Sequence, residues 1–277
     1  MIRYLIVTNA APTTTDLVAL VAGASRGIGA DVARAFAAAG YAVVLGARDT
    51  AALQHVVDDI AATGGRAVAE ATDVGDEASM RALVERAVDT FGRLDAAFNN
   101  ATDGPMPAPL ADIDTAEFDR GIRTNVRGTF LGMKYEIPAL LDSGGGAIVN
   151  MASVAGVRAT TNLAAYVAGK AAIIGLTEVA ALDYADRGVR VNVVAPGPIL
   201  THHIERAGAE AQRLAGQSVP MGRIGTTHEV ADVVLWLCSD QSSFVTGATV
   251  PIDGGQLAGN KPPQMYRQGQ GMAPTSA

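Results

Sequence analysis

Short apolar runs alternate with longer amphipathic stretches along most of this chain, from residue 17 to about residue 252. Apolar runs of strand length predict strands that are buried on both faces, and the stretches between them carry apolar residues at helical spacing. Repetition of strand, helix and strand in this order requires right-handed crossovers. The alternation therefore predicts an α/β fold with a doubly wound parallel sheet and helices on both of its faces.

Seven apolar runs form the predicted sheet. In chain order they are LVALVAG (17–23), YAVVLGA (41–47), RAVAEAT (66–72), LDAAFNN (94–100), GAIVNMA (146–152), VRVNVVA (189–195) and GATVPID (247–253). Helices are predicted between them, and several of these end at a glycine that can adopt a left-handed cap. In such sheets ligands bind at the carboxyl ends of the strands, so the functional site is expected there.

Charge and composition exclude several classes of function. The 277 residues carry a net charge of -7, which argues against general binding of nucleic acids or anionic membranes, because both require an electropositive surface. Cys238, the single cysteine, is interpreted as buried packing, and its isolation favours a reducing compartment. The amino terminus lacks a secretory signal, and no segment approaches the ~18 apolar residues of a membrane span. A cytoplasmic protein with no membrane partner is therefore expected.

The two ends of the chain differ in composition from the rest. Residues 1–16 and 259–277 are polar or rich in Pro, Gly and Gln, and are interpreted as an amino-terminal arm and a carboxy-terminal tail. No linker-like gap interrupts residues 17–258. This segment is predicted to form a single catalytic domain.

A glycine-rich turn, GASRGIG, lies between the first predicted strand and the first predicted helix. Gly23, Gly27 and Gly29 permit a tight turn and let backbone N–H groups and the helix amino terminus approach a pyrophosphate. A turn that serves packing alone is the alternative. The position of the turn near the start of the domain favours a dinucleotide site.

The end of the second strand decides between the two dinucleotides. In VVLGARD, Ala47 stands where an acidic residue would hold the ribose hydroxyls of NAD, and Arg48 follows it. Arg26 in the glycine turn can reach the same place, and two guanidinium groups suit the 2′-phosphate of NADP better than a neutral diol. NADP(H) is therefore the preferred cofactor. NAD(H) stays possible because Asp49 lies close by.

Tyr166 and Lys170 are four residues apart in AAYVAGKAAIIGL and share one face of a predicted helix. Three interpretations fit: a half-buried tyrosine beside a lysine that reaches water, an acid–base pair, or a contact with a phosphate or partner. The third requires further basic residues, which this stretch lacks. In the second, Lys170 and the positive charge of an oxidised nicotinamide lower the tyrosine pKa from ~10 towards the working pH.

A resemblance to a known family rests on five motifs that occur in order, each at a strand end: GASRGIG, NNA, MASVAG, YVAGK and PGPILT. Through them, residues 17–256 resemble the short-chain dehydrogenase/reductase superfamily, in its single-domain, Rossmann-type form with a Tyr-x-x-x-Lys motif. Two residues depart from the family pattern, because Ala22 replaces a usual Thr and Thr102 replaces the Gly of NNAG. Both usual residues are mainly scaffolding, so the departures concern loop details more than chemistry.

The resemblance implies a catalytic tetrad of Ser153, Tyr166, Lys170 and Asn125, with Tyr166 as the general acid/base. Ser153 would donate to the substrate carbonyl and stabilise developing negative charge, and Asn125 would support a water relay. Asp73 would contact the adenine. The full set of implied cofactor-binding residues is Gly23, Ser25, Arg26, Gly27, Ile28, Gly29, Arg48, Asp73, Val74, Asn99, Ala101, Tyr166, Lys170, Pro196, Gly197, Ile199 and Thr201.

The predicted function is an NADP(H)-dependent interconversion of a ketone and a secondary alcohol by hydride transfer, as in a carbonyl or 3-oxoacyl reductase. The alternatives are an NAD-dependent secondary-alcohol dehydrogenase and a non-catalytic dinucleotide sensor. No metal site is predicted, because the adjacent His202 and His203 diverge on a helix.

The substrate cleft is expected between two loops, at residues 102–109 and 198–216. Its predicted lining is apolar and favours a hydrophobic ketone; the lining residues are Ala155, Val157, Leu163, Ile199 and Leu200. A 3-oxoacyl thioester, a cyclic, steroid-like or polyketide ketone, and a sugar all remain candidates. Because family members are usually tetramers built through the helices that carry Asn125 and Tyr166, a homotetramer is predicted.

Overall fold

Seven parallel strands form one sheet at the centre of a computed structural model that describes residues 17–104 and 106–259. The strands of the described chain are β1 (Val18–Ala22), β2 (Ala42–Ala47), β3 (Arg66–Ala71), β4 (Ala96–Asn99), β5 (Gly146–Met151), β6 (Val189–Pro196), β7 (Ile199–Leu200), β8 (Gly225–Thr226) and β9 (Thr249–Ile252). The sheet has the order β3-β2-β1-β4-β5-β6-β9, and every neighbouring pair is parallel. The predicted doubly wound α/β fold is confirmed, and each predicted run contains one of the seven strands.

The helices of the described chain cover both faces of this sheet. They are α1 (Gly27–Ala38), α2 (Thr50–Ala62), α3 (Glu77–Phe91), α4 (Thr115–Ile122), α5 (Gly128–Asp142), α6 (Val154–Val157), α7 (Ala164–Tyr184), α8 (His202–Arg206), α9 (Gly208–Gln217) and α10 (Thr227–Cys238). Buried side chains of α1, α2 and α10 form the core on one face. Those of α3, α5 and α7 form the core on the other. The strands are apolar along their length because most of them contact both cores.

Capping residues define several helix ends that the sequence pattern predicts. The Asp49 carboxylate accepts from the Ala52 N–H at 3.0 Å and starts α2, and Thr226 starts α10 in a capping box with Glu229. Helix α3 ends at Gly92, whose φ of 81° is left-handed. These caps place the loops between strands and helices, where the site is expected.

The pair β7–β8 was not predicted, and it lies outside the main sheet. Each strand has two residues, which is too short to produce an apolar run. The pairing is significant because it turns the side chain of Ile199 into the buried core beside α10. The Ile199 side chain is thus largely buried, and it also borders a cavity beside this strand pair, so its predicted place in the lining of the substrate cleft stays a prediction.

Helix α7 departs from the expectation that no segment reaches membrane-spanning length. The helical segment Ala164–Arg187 is long and apolar enough to cross a membrane, with a mean hydropathy of 1.4. It packs against α6 and β6 and contains the buried Lys170. Its apolar character is thus used for packing on the sheet along one side.

The predicted arm at 1–16 and almost all of the predicted tail at 259–277 lie outside the described residues. Cys238 is buried at the end of α10, as interpreted from the sequence, and burial raises the pKa of its thiol to about 12. The thiol is therefore protonated at neutral pH.

Candidate active site

The glycine-rich turn follows β1 directly and opens into α1. Gly23 and Gly27 have left-handed φ values of 88° and 56°. A Cβ on Gly29 would lie 2.1 Å from the Gly23 carbonyl oxygen, and a Cβ on Gly23 would lie 2.6 Å from the Ala101 nitrogen. Gly23 requires glycine for both its backbone conformation and its lack of space, Gly27 for its left-handed φ, and Gly29 for its lack of space.

The amino terminus of α1 is open to an anion. Its cap residue, Arg26, makes no side-chain capping hydrogen bond, and no acidic residue lies in the first turn. The free N–H groups and the helix dipole at such an end favour negative charge. Across the turn, a Cβ on Gly27 would lie 3.7 Å from the Thr201 methyl group, so Gly27 and Thr201 face each other over a narrow gap.

The two arginines expected to bind a 2′-phosphate lie next to different carboxylates. Arg26 Nη2 is 3.9 Å from Asp49 Oδ2, and both side chains are at least half exposed. Arg48 is exposed and contributes to the lowered pKa of the Asp73 carboxyl. Asp49 also caps α2, so its carboxylate is partly engaged. Ala47 is buried at the end of β2 and presents no polar group.

Asp73 is held by an arginine that the sequence did not single out. Arg123 donates to both carboxylate oxygens of Asp73, at 3.3 and 2.9 Å, and a Cβ on Gly75 would lie 2.8 Å from the same side chain. Burial opposes ionisation, but the bond from Arg123 and the Gly75 N–H hold the pKa of Asp73 below its usual range. Val74 is buried beneath this loop.

The end of β4 forms the floor between these groups. Asn100 and Ala101 both donate their N–H groups to the Ala22 carbonyl, at 2.9 and 3.0 Å. The Asn100 side chain donates to the Gly23 carbonyl at 2.8 Å. Asn99 ends β4 and is buried. The residues after β4 therefore fix the glycine turn from below.

The end of β6 contributes the opposite side of the gap. Pro196 ends the strand, and Gly197 donates its N–H to the Ile252 carbonyl at 3.0 Å. A Cβ on Gly197 would lie 3.1 Å from the Asp253 Cα, so the chain passes close to the segment after β9. Ser25 and Ile28 of the glycine turn are half-buried, and Ile28 packs against the core.

Ser153, Tyr166 and Lys170 meet at the carboxyl end of β5, as predicted. Ser153 caps α6, accepting from the Ala155 N–H at 3.2 Å, and its side chain lies close enough to Tyr166 to lower the pKa of the phenol. Lys170 lies one turn after Tyr166 in α7, and its Nζ is 5.7 Å from the centre of the Tyr166 ring. The same Nζ donates to the Met151 carbonyl at 2.7 Å. The ammonium is thus anchored to the strand that precedes Ser153.

Burial shifts both ionisable groups of this cluster away from their charged forms. Burial raises the pKa of Tyr166, and the Ser153 side chain opposes this shift. Burial also lowers the pKa of Lys170 to about 7. The expected lowering of the Tyr166 pKa by Lys170 is not a property of the chain alone. The reason is that removing both groups from water costs more than their mutual interaction recovers.

Asn125 lies in a π-helical turn, Arg123–Arg127, between α4 and α5. Its buried side chain donates to the carbonyls of Asp103 and Gly121, and its Oδ1 accepts from the Thr102 hydroxyl at 2.9 Å. A π-helical turn widens the backbone locally and is frequent at functional sites. A Cβ on Gly169 would lie 2.9 Å from the Asn125 Cβ, so this turn packs directly on α7 between Tyr166 and Lys170.

The loop after β4 covers one side of Tyr166. A Cβ on Gly104 would lie 3.6 Å from Cδ2 of the Tyr166 ring. Arg120 of α4 donates to the Asp103 carboxylate at 3.0 Å, and the Ala108 N–H donates to the Asn162 carbonyl at 3.0 Å. These bonds hold the described part of the predicted 102–109 loop against the segment before α7.

A family model supplies the first comparison with known proteins. The model described as enoyl-(acyl carrier protein) reductase matches residues 23–256. This range contains the glycine turn, the end of β4 and the Ser153–Tyr166–Lys170 cluster. The chain belongs to the short-chain dehydrogenase/reductase superfamily.

Curated relatives and a solved structure agree with this membership. Cyclohexanol dehydrogenase of Acinetobacter sp. (strain SE19) is 44% identical over 86% of this chain and 93% of its own length. The A-factor type gamma-butyrolactone 1'-reductase (1S-forming) of Streptomyces virginiae is 42% identical over 87% of this chain and 95% of its own. The crystal structure of levodione reductase matches with a TM-score of 0.86 at 35% identity, covering 89% of this chain and 99% of that one.

Membership of the short-chain dehydrogenase/reductase superfamily makes this protein an oxidoreductase that acts on CH–OH or C=O groups and implies an NAD(P) cofactor. The described residues fit such a group. Gly23 and Gly29 have no room for a Cβ, the start of α1 has no side-chain cap, and Gly27 faces Thr201 across a gap. These are the features that a pyrophosphate between a strand end and a helix requires.

The sequence interpretation missed several polar residues around the site. Asp103 and Arg120 tie down the loop, Arg123 holds Asp73, and Glu136 contacts Asn99. Their partners are distant in sequence, so no local pattern identifies them. The one departure that gave a hint is Thr102, whose hydroxyl replaces a residue without a side chain.

A cavity of about 330 Å³ lies beside the end of β6. It is bounded by the β7–β8 pair and the segment after β9, and its lining includes Pro198, Val219, Arg223, Pro251 and Gly254. Ser153, Tyr166 and Lys170 do not line it, whereas Pro198 and Ile199 of the predicted 198–216 loop do. Within the described ranges, no three His, Cys, Asp or Glu side chains are grouped to hold a metal ion.

Proposed function

We propose that this enzyme uses NADP(H) to interconvert a hydrophobic cyclic ketone and its secondary alcohol. The observation that carries the proposal is the grouping of Ser153 and Tyr166 with the anchored ammonium of Lys170, at the strand edge that also bears the glycine turn. In the alternative interpretation, a half-buried tyrosine lies beside a lysine that reaches water, and the Lys170 side chain would be partly exposed. Lys170 is instead completely buried.

Tyr166 is the proposed general acid and base. Its phenol, kept protonated by burial, gives a proton to the oxygen of the reduced substrate and takes it back in the oxidative direction. Ser153 is the second hydroxyl on the same spot, and it donates to the substrate oxygen as negative charge develops there. Because the Ser153 and Tyr166 hydroxyls lie close together, one substrate oxygen can contact both of them.

Lys170 and Asn125 are the proposed supporting members of the tetrad. With one N–H of Lys170 used by the Met151 carbonyl, two remain for the cofactor ribose or a water that leads to Tyr166. The side chain of Asn125 is already bonded to Thr102, Asp103 and Gly121. The side chain of Asn125 therefore stiffens the π-helical turn, and a water relay would use its backbone.

The cofactor, when bound, supplies or accepts the hydride. The proposed contacts for its pyrophosphate are the N–H groups of the glycine turn, with Ser25 and Ile28, and the Thr201 side chain. Asp73 and Val74 flank the adenine, Asn99 and Ala101 form the floor, and Pro196, Gly197 and the Ile199 backbone hold the nicotinamide end. Arg26 and Arg48 neutralise the 2′-phosphate, which supports NADP(H) over NAD(H).

A hydrophobic cyclic substrate is supported by the walls of the cleft and by the relatives. Val157 is half exposed, and Leu163, three residues before Tyr166, and Leu200 are half-buried. Two relatives are named as acting on cyclohexanol and levodione. We infer an alicyclic ketone or alcohol of comparable size rather than a sugar, because these apolar side chains offer few hydrogen bonds to multiple hydroxyls.

An NAD-dependent dehydrogenase is the second candidate, and one contact favours it. Asp49 Oδ2 lies 3.9 Å from Arg26, so a carboxylate is within reach of the ribose that Arg26 would approach. A non-catalytic dinucleotide sensor is the third. The presence of Ser153, Tyr166 and Lys170 together counts against it, because a sensor that only binds the dinucleotide does not need these three catalytic groups.

A cytoplasmic homotetramer is the proposed state of the protein. Apolar side chains remain exposed on α5 and α7, with Phe130 48%, Val179 57% and Leu182 83% exposed. A second copy packing on these helices would cover them. Light scattering of the purified protein tests this, and a monomer at micromolar concentration would contradict it.

The proposed function is tested with a panel of cyclic and acyclic ketones and alcohols, followed by NADPH and NADH absorbance. We expect turnover of alicyclic ketones with NADPH, and a loss of about 10²–10⁴-fold in the Tyr166→Phe variant with little change in NADPH affinity. Tyr184→Phe is the matched control, because Tyr184 lies at the far end of α7. Full turnover by Tyr166→Phe would overturn the catalytic assignment.

A further inference from the structure

A buried carboxyl group lies beneath the floor of the proposed cofactor site. Glu136 of α5 is completely enclosed, and its Oε2 accepts a hydrogen bond from Asn99 Nδ2 at 2.9 Å. Its Oε1 is buried and has no hydrogen-bond partner among the residues that the structure describes. Buried carboxyl groups are costly, so one that is retained with an unpartnered oxygen requires an explanation.

Glu136 is the last member of a series of hydrogen bonds that runs from α7 across the neighbouring strands β5 and β4 to α5. Asn99 Nδ2 also donates to Asn150 Oδ1 at 3.0 Å, and Asn150 Nδ2 donates to the Thr177 hydroxyl at 3.0 Å. The Thr177 hydroxyl donates to the Ile173 carbonyl at 2.8 Å. The series of hydrogen bonds therefore links α5, β4, β5 and α7, the helix that carries Tyr166 and Lys170.

The direction of this series of hydrogen bonds is fixed from its α7 end. A backbone carbonyl can only accept a hydrogen bond, so the Thr177 hydroxyl donates its single hydrogen to the Ile173 carbonyl. Towards Asn150 the same hydroxyl can therefore only accept. Asn150 must then present its nitrogen to Thr177 and its oxygen to Asn99. Asn99 must in turn present its nitrogen, and the second hydrogen of that nitrogen requires an acceptor.

Glu136 Oε2 is that acceptor. We propose that Glu136 is a positioning residue that fixes the Asn99 amide and, with it, the end of β4 that supports the dinucleotide-binding turn. The inference rests on the proposed function, because it assigns Glu136 to the cofactor site of the same enzyme. It concerns a residue that lies outside the proposed tetrad and that the cofactor does not touch.

The link from Asn99 to the cofactor turn is short. Asn100 and Ala101 follow Asn99 directly and hydrogen-bond to Ala22, and the Asn100 side chain bonds to the Gly23 carbonyl. A Cβ on Gly132 would lie 2.5 Å from Asn99 Oδ1, so α5 also confines the oxygen of the amide. A rotation of the Asn99 side chain would break both its bonds and release the start of this loop.

Burial of the Glu136 carboxyl has a second consequence. Burial raises its pKa to about 7, and the bond from Asn99 opposes this. No ionisable side chain within the described ranges adds to these two causes. On α5 itself, Lys134 and Tyr135 are directed to Glu77 of α3, and Lys170 of α7 donates to Met151. Glu136 therefore lacks a cationic partner in the described part of the chain, and the series of hydrogen bonds requires only its accepting oxygen.

Two substitutions separate the accepting oxygen from the carboxyl group. Glu136→Gln keeps an oxygen for Asn99, and Glu136→Leu removes it at similar volume. We expect Glu136→Leu to weaken NADPH binding at least 10-fold, measured by fluorescence titration, and Glu136→Gln to restore it to within about threefold of the unmodified protein. In an Asn99→Leu background, Glu136→Leu should cause no further loss, because the pair acts as a unit.

A matched control separates positioning from a general loosening of the core. Leu140 is fully buried in α5, one turn after Glu136. Leu140→Ala should lower the melting temperature by leaving a cavity and keep the NADPH affinity within twofold. If Leu140→Ala weakens binding as much as Glu136→Leu at a comparable loss of melting temperature, the positioning role is overturned.

The pH dependence of stability gives a readout without the cofactor. Because the folded protein holds a proton on Glu136 that the unfolded chain releases from about pH 4.5, Glu136 makes stability fall as pH rises from 4.5 to about 7. The melting temperature of Glu136→Gln minus that of the unmodified protein should grow across this window and stay constant above it. If the melting temperatures of the two proteins differ by the same amount at every pH, the Glu136 carboxyl does not have a raised pKa in the folded protein.

The binding experiment distinguishes failure of this inference from failure of the proposed function. If the unmodified protein binds neither NADPH nor NADH, both are overturned. If it binds NADPH and Glu136→Leu binds it equally well while folded, only the role of Glu136 is overturned. Loss of binding in Glu136→Leu, with rescue by Glu136→Gln, supports the role.

Discussion

The ammonium of Lys170 lies 5.7 Å from the centre of the Tyr166 ring, while its own hydrogen bond goes to the Met151 carbonyl of β5. The lysine is thus attached to the strand and faces the tyrosine without bonding to it. Since burial opposes the charged form of both groups, the neutral phenol beside an amine that loses its proton near pH 7 is the favoured state of the chain alone. This state is suited to donation of a proton by Tyr166.

The direction of catalysis should therefore respond to pH. Ketone reduction requires the protonated phenol and should change little from about pH 6 to pH 8, whereas alcohol oxidation requires the phenolate and should rise with pH over the same range. The measurement is kcat/KM for one ketone–alcohol pair in both directions, with saturating cofactor. An oxidation rate that does not increase with pH would contradict Tyr166 as the base with a raised pKa.

Lys170 should make the stability of the cofactor-free protein depend on pH. Burial lowers its folded-state pKa to about 7, so between pH 7 and 10.5 the unfolded chain binds a proton that the folded chain lacks. Stability then rises with pH in this window, by up to about 1.4 kcal/mol per pH unit. Urea unfolding at several pH values should show that Lys170→Met removes this rise.

Lys134 provides the control for that experiment. It is exposed on α5, and its hydrogen bond to Glu77 raises the pKa of its ammonium. Folded and unfolded states therefore both keep this proton up to about pH 10. The difference between Lys134→Met and the unmodified protein should be constant from pH 7 to 9, and a constant difference for Lys170→Met as well would show that Lys170 is not desolvated.

The sequence predicts the fold well because of where the strands lie. A strand covered on both faces, such as β1 or β2, has no polar side chain and stands out from its neighbours. The pair β7–β8 is only two residues long on each side and leaves no such run. The sequence of α7 does not stand out as a segment that could cross a membrane, because its alanines and glycines are small and because Tyr166 and Lys170 interrupt the apolar residues.

The site is predicted unevenly for a related reason. Ser153, Tyr166 and Lys170 come together because strand ends meet at one edge of a parallel sheet, which is a rule of topology. The bonds from Thr102 to Asn125 and from Glu136 to Asn99 join side chains more than 20 residues apart. Such contacts depend on how α5 packs on β4, and no spacing rule encodes that packing.

Arg26 and Arg48 should determine the choice of dinucleotide. Both side chains are exposed at the end of β2 or in the glycine turn, where charge-assisted bonds to a phosphate are worth about 1.5–3 kcal/mol each. Replacing either with Ala should raise the NADPH dissociation constant about 10- to 100-fold and leave that of NADH within about threefold. Fluorescence titration with both dinucleotides measures the ratio.

The control for the arginine variants is Arg81→Gln. Arg81 is exposed on α3 and forms a helical ion pair with Glu85, so it should alter neither affinity. Should NADH bind more tightly than NADPH to the unmodified protein, Asp49 rather than the arginines determines the cofactor. In that case the second candidate function, an NAD-dependent dehydrogenase, replaces the first.

Thr102 should act on the substrate step through Asn125. Its hydroxyl donates to Asn125 Oδ1 at 2.9 Å, and Gly104, two residues later, lies against the Tyr166 ring. Thr102→Val keeps the shape and removes the donor, which leaves a buried amide oxygen unpaired at a cost of about 1 kcal/mol. We expect kcat/KM for the ketone to fall about fivefold with the NADPH affinity unchanged, and Thr102→Ser to restore it. Equal kinetics for Thr102→Val and the unmodified protein would show that the loop holds its place over Tyr166 through the Asp103–Arg120 pair alone.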